Sequence, residues 1–145
     1  MRSRPDFLVL SPDDRVQLVV EVKNLRGISP EWAADYRRNL LAHSILPDAD
    51  FFLLAFSESL FLWDNARGDA EALPHYQAPT RETLGPLLVD VGGEEGLEAA
   101  VSAWLYALTS PSLGEGEAKR RYGWLVDSGL YSRIRGGHVK YSAAA

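Results

Sequence analysis

Arg4-Pro5-Asp6-Phe7-Leu8-Val9-Leu10, Ser11-Pro12-Asp13-Asp14-Arg15 and Val16-Gln17-Leu18-Val19-Val20-Glu21-Val22-Lys23 are the residues that decide the fold. Two apolar runs rich in β-branched residues flank a Pro/Asp turn, which is the pattern of a β-hairpin. Strand side chains alternate with period two, so Glu21 and Lys23 share a face. With Ser11 opposite Val16, the loop is Pro12 to Arg15 and Asp6 falls opposite Glu21. A register shifted by one would turn Asp6 to the other face, so the expectation is definite.

Two carboxylates and one ammonium then converge. Carboxylates a few ångströms apart repel unless a cation lies between them, and Mg²⁺ accepts one or two carboxylates while keeping several waters. Such an ion polarises a phosphoryl oxygen and acidifies a bound water. An adjacent lysine stabilises developing negative charge or orients the water. The plainer reading of the same residues is an edge hairpin that ends in a solvated Glu/Lys pair. The elements downstream of Lys23 bear on the choice.

Asn24 to Ile28 is a polar, Gly-containing loop. Ser29-Pro30-Glu31 is a helix start: Ser as N-cap, Pro at the first helical position and an acid in the first turn. The helix is expected from Pro30 to Ile45, with Trp32, Tyr36, Leu40 and His43 on one stripe and Ala33, Leu41 and Ile45 widening it. Leu40 and Ile45 read as core. Phe51 to Phe56 is a continuous apolar run, the signature of a strand covered on both faces. Ser59 to Asp64 reads as its antiparallel neighbour.

Strand, strand, helix, strand, strand, with Pro5-Asp6 and then Glu21-Val22-Lys23 after fourteen residues, resembles the PD-(D/E)XK nuclease superfamily. The resemblance covers Arg4 to Asn65. It extends to the RecB-type nuclease domains and to the N-terminal nuclease domain of type I restriction motor subunits. It implies a restriction-endonuclease-like core: a β-hairpin, a crossover helix and a second β-hairpin. It also implies that Asp6 and Glu21 bind Mg²⁺ or Mn²⁺, that Val22 offers its carbonyl to the metal, and that Lys23 acts at the attacking water. RecB-type domains carry Gln-x-x-x-Tyr on the helix after the catalytic Lys, facing the nucleic acid. Here Tyr36 matches the Tyr and Trp32 stands where the Gln would be. Arg37 comes next as a candidate phosphate contact. Most relatives also have a helix and a strand before the Pro-Asp, often with an acid on that helix. With no such segment ahead of Pro5, either the core is trimmed or a partner strand completes the sheet, the latter predicting a homodimer.

Composition sets the outer bounds. With 145 residues, 46% hydrophobic and 24% charged, residues 1–145 are expected to form one domain with a proper core. Residues 1–65 would be the nuclease-like core, and residues 66–145 a helical extension ending in a basic hairpin. No run approaches the roughly eighteen apolar residues of a membrane span, and Met1 to Arg4 lack the apolar centre of a signal peptide. The absence of cysteine excludes disulfides and thiolate metal sites and fits a cytoplasmic protein. A net charge of −5 argues against a free-standing non-specific nucleic-acid binder. It leaves a metal-dependent nuclease open.

Residues 66–80 read as a long loop that contains His75 on the surface. Thr80 caps a short helix over Arg81 to Val89. The Gly92 to Gly96 stretch lacks the lysine of a phosphate cradle and starts a helix over Glu94 to Leu108. Leu97, Val101, Trp104, Leu105 and Leu108 form the buried stripe of that helix. A further helix is expected over Glu115 to Asp127, and a terminal hairpin over Leu130 to Ser142 around Gly136-Gly137. From Lys119 onward, six Lys/Arg stand against one Asp. In that hairpin Arg133, Arg135 and Lys140 would share a face, either as a nucleic-acid-binding ribbon or as a solvated cap. The histidines have no i, i+4 partner, which argues against zinc.

The expectation is thus an α/β domain acting as a metal-dependent nuclease on DNA, or RNA, by direct water attack. The alternatives are a non-catalytic binding or assembly module of the same fold, and a DNA-binding regulator that uses the C-terminal hairpin alone.

Overall fold

The central strand is β2 (Val16–Lys23), whose side chains are apolar toward both faces for most of its length. It lies between β1 (Phe7–Leu10) and β3 (Phe51–Phe56). The computed structural model describes residues 5–88 and 93–141. The expected helix end at Val89, Gly92, Ser142 and the first four residues lie outside them. Together with β4 (Ser59–Asp64), β5 (Tyr76–Pro79) and β6 (His138–Tyr141), the strands form one six-stranded sheet in the order β5-β4-β3-β2-β1-β6. Every adjacent pair is antiparallel except β2 and β3. That parallel pair is joined by α1 (Pro30–His43), as a crossover connection requires.

Both sheet faces are covered, which is why β3 reads as an unbroken apolar run. Phe52, Leu54 and Phe56 face α1 with Val19, Phe61 and Trp63. Phe51, Leu53 and Ala55 face the other way with Val9, Leu18, Val20 and Val22. There they meet α3 (Gly93–Thr109) through Leu97, Val101, Trp104, Leu105 and Leu108, the stripe expected from the sequence. Each such large side chain contributes roughly 1.5–3 kcal/mol on burial.

α1 begins as its sequence dictates: Ser29 accepts from the Trp32 N–H at 3.1 Å, with Pro30 in the first turn. Its buried positions are Ala33, Ala34, Arg37 and Leu40, and not the full aromatic stripe expected. Trp32, Leu41 and Ile45 are exposed, so Ile45 is not core. The helix ends at His43, where the Ser44 N–H donates to the Leu40 carbonyl.

The second half differs most from expectation. The long loop contains β5, which pairs with β4. α2 (Thr80–Leu84) stops where Gly85 takes φ 40. The single helix expected over 115–127 is two, α4 (Glu115–Arg121) and α5 (Gly123–Asp127), broken at Tyr122 with φ −140 and ψ 59. The terminal hairpin is absent: Leu130–Ile134 is a helix, α6. Gly136 takes φ 77 and its N–H donates to the Thr109 carbonyl. The chain then runs as β6 along β1, with Leu8 opposite Lys140 and Leu10 opposite His138. Gly137 is required by close approach, since a Cβ there would fall on the Leu10 carbonyl oxygen. β6 thereby covers the β1 edge that suggested a strand-paired homodimer. Among the described residues, no helix is long and apolar enough to cross a membrane.

Candidate functional site

The β1–β2 register puts Phe7 opposite Val20, Leu8 opposite Val19 and Val9 opposite Leu18. The ladder ends there, and Asp6 lies just beyond it, next to Phe7, with its N–H donating to the Val20 carbonyl. The turn differs from the expected one. Leu10, not Ser11, pairs with Val16, and the register shifts between Val9 and Leu10. The longer loop is closed by the Ser11 N–H donating to the Arg15 carbonyl at 2.9 Å, with Asp14 at φ 65. The irregularity at Gln17 absorbs the extra residue. Without it, β2 would be displaced by one position and Glu21 would turn to the α3 face.

Asp6 is fixed at the start of β1 by two bonds to β2. Its N–H donates to the Val20 carbonyl at 3.1 Å, and its Oδ2 accepts from the Val22 N–H at 2.7 Å. Glu21 is 5% exposed, and its Oε1 is buried without a hydrogen-bond partner. Lys23 lies two residues on, on the same face and beside Phe56 of β3. Val22 contributes its N–H to Asp6 while its side chain fills the opposite core.

Two acids that local sequence does not connect to the site arrive from α3. The Glu94 Oε1 accepts from the Asn24 N–H at 3.2 Å, which ties the start of α3 to the end of β2. Glu98, one turn later, is hydrogen-bonded to Asp6 through its side chain. The sequence signal was slight: acids at i and i+4 beside the Leu97 and Val101 stripe, some seventy residues from Asn24.

The electrostatics arise from this crowding. Burial, then the Asp6 charge, pushes the Glu21 carboxyl up to about 8, against the pull of Lys23. Burial also raises Asp6, opposed by the Val22 N–H and by Lys23. Glu98 is raised by burial and by the charge and hydrogen bond of Asp6. The Tyr36 hydroxyl is pushed up to about 12 by burial and by the charges of Glu21, Asp6 and Glu94. Asp6 and Glu21 thus feel the charges of Glu94 and Lys23, and Glu98 adjoins Asp6. The donor set is all oxygen and suits a hard divalent ion, and the orphaned Glu21 Oε1 is an unused ligand atom. Among the described residues, no three His, Cys, Asp or Glu side chains are already grouped at metal-ligand spacing.

The expected nucleic-acid contacts separate. Tyr36 stays at the site, half-buried and stacked on Trp32. Arg37 does not face a ligand: it is 4% exposed and packs over Phe52 and Trp63. Its Nη2 donates to the Asn65 Oδ1 at 2.9 Å and its Nη1 to the Asp69 carbonyl at 3.1 Å. A helix cation expected as a phosphate contact is therefore packed into the core under α1. Arg133, on α6, pairs with Asp50 at 2.8 Å and lies over Phe51. It stands where β3 starts, the end of the sheet away from Lys23, which neighbours the last residue of β3. Arg135 donates to the Pro111 carbonyl at 3.1 Å, and Lys140 is exposed on β6. With no terminal hairpin, these three form no shared cationic face. His75 is not a plain surface residue either: its Nδ1 accepts from the Asp64 N–H at 3.0 Å.

Comparison of the chain with known protein families, curated proteins and solved structures finds no match.

Proposed function

We propose that the chain is a divalent-metal-dependent nuclease that hydrolyses DNA phosphodiester bonds by direct attack of water. The observation that carries the reading is Glu21, buried, with an unpartnered Oε1, between Asp6 and Lys23 at one end of the sheet. A carboxylate in that position is costly unless a proton or a cation joins it. Asp6 and Glu21 would hold Mg²⁺ or Mn²⁺, with the Val22 carbonyl as a further ligand. When bound, the ion polarises a phosphoryl oxygen and acidifies a bound water. Lys23 holds its ammonium on the same face, where it neutralises charge developing on the phosphoryl oxygens. Glu98 would position Asp6 through the hydrogen bond between their side chains.

The topology also supports a restriction-endonuclease-like core. The resemblance leads one to expect a helix with an acid, then a strand, before the Pro-Asp. Here α3 with Glu98 and β6 beside β1 offer such a helix and strand from the C-terminal side. The core would then be the familiar one with its elements in a rotated order.

The test is cleavage of plasmid and linear DNA in Mg²⁺ or Mn²⁺. Activity should vanish in EDTA and fall by about a hundredfold or more in Asp6→Asn and in Lys23→Ala, with circular dichroism confirming that both variants fold. Unchanged cleavage in either variant refutes the mechanism. The competing reading, a non-catalytic module of the same fold, is favoured by the scattered cations of α6 and β6. It expects divalent-ion binding without turnover for any substrate.

A further inference from the structure

Beside the carboxylates stands an aromatic side chain that the core does not use. α1 buries Ala33, Ala34, Arg37 and Leu40. Trp32 is left 43% exposed, while Trp63 and Trp104 are fully buried. Its ring is nonetheless held in place. It stacks on Tyr36 at 5.4 Å between centroids and 27° between planes, and its edge meets Phe56 at 6.1 Å and 74°. The Ser29 cap on its backbone N–H fixes the start of the helix beneath it. An exposed indole immobilised in this way loses little freedom when something flat settles on it.

Its position relates it to the site. Phe56 neighbours Lys23 in the sheet, and Tyr36 lies within the field of Glu21 and Asp6. The stack therefore borders the end of β2 where the proposed function places a phosphodiester. Bases inside a duplex are already stacked and paired, so only an unpaired base can offer its face. The charge of the chain points the same way. At a net −5, and with Arg37, Arg133 and Arg135 engaged within the protein, the chain attracts phosphate less strongly than a basic protein would. Base stacking supplies affinity that salt does not screen.

We infer that Trp32, backed by Tyr36, is a stacking platform for an unpaired base, and that the protein prefers single-stranded nucleic acid to continuous duplex. The inference rests on the reading of the Asp6–Glu21–Lys23 end as a phosphodiester site.

The test is fluorescence anisotropy in Ca²⁺, with a labelled oligothymidylate and with the same strand paired to oligoadenylate. Wild type should bind the single strand more tightly. Trp32→Ala should lose roughly tenfold or more on the single strand and little on the duplex. Trp32→Phe should recover most of that loss. The ratio between wild type and Trp32→Ala should be the same at low and high salt, since no phosphate contact is removed. An unchanged affinity, or an equal loss on both probes, overturns the platform, as does the failure of wild type to bind the single strand. Parallel cleavage assays in Mn²⁺ separate the two readings. Cleavage with Trp32-independent binding keeps the nuclease and discards the platform. Trp32-dependent single-strand binding without cleavage keeps the platform and discards the hydrolytic reading.

Discussion

Replacing Glu21 by Gln should abolish a loss of stability that the wild-type protein suffers as pH rises. Gln keeps the shape of Glu and removes its charge. In the unfolded chain Glu21 titrates near 4.5, and in the folded protein near 8. The folded state therefore binds the proton more tightly. Its contribution to stability is fully present below pH 4.5 and is lost as pH rises toward 8. At roughly 1.4 kcal/mol per pH unit, the displacement corresponds to on the order of 5 kcal/mol, a large share of a typical domain's stability. Asp6 and Glu98 are also raised and act in the same direction. His75, held below its ordinary value by burial and by Arg67, acts oppositely as pH falls through its range. Comparing wild type with Glu21→Gln at each pH cancels His75. The assay is urea denaturation in EDTA between pH 5 and pH 8. The two proteins should be close at the acid end, and the variant clearly more stable at the alkaline end. Mg²⁺ or Mn²⁺ should restore much of the wild-type deficit at pH 8 and do little for the variant, because ions that bind only the folded state stabilise it. A wild type whose stability is flat or rising from pH 5 to pH 8, or a variant with the same slope, refutes the argument that Glu21 carries an uncompensated buried charge.

Two further predictions test the scaffold. Arg37→Ala should destabilise by about 2–4 kcal/mol in urea melts, because it strips the packing on Phe52 and Trp63 and leaves the Asn65 and Asp69 acceptors without their donor; a change within about 0.5 kcal/mol would return Arg37 to the solvated face. Gly137→Ala should cost about 2–3 kcal/mol or more and raise hydrogen exchange along β1 and β6, because the added methyl meets the Leu10 carbonyl; unaltered exchange in β1 would show that β6 does not depend on that close approach.

The sequence by itself determined the elements whose signals are local. The Pro/Asp turn between β-branched runs specified β1 and β2. Ser29-Pro30-Glu31 specified the start of α1, the unbroken Phe51–Phe56 run a doubly covered strand, and the Leu97–Leu108 stripe the buried face of α3. Period-two alternation was enough to put Glu21 and Lys23 on one face; Asp6 lies just beyond the β1–β2 ladder, bonded to the Val20 carbonyl and the Val22 N–H. Tertiary structure decided what joins across long separations. Glu98 meets Asp6 only because α3 packs behind β2, and that contact leaves no trace in local periodicity. Arg37 was expected as a phosphate contact, yet it is buried on Phe52 and Trp63 with Asn65 and the Asp69 carbonyl accepting from it. Helical spacing placed Trp32 on one stripe with Tyr36 and Leu40, but α1 rolls its small residues Ala33 and Ala34 onto the sheet and leaves the indole at the rim. The last residues carried a Gly-Gly turn signal that fits a hairpin equally well. The open edge of β1, which needs a partner for its backbone N–H and C=O groups, drew Val139 and its neighbours into the sheet instead.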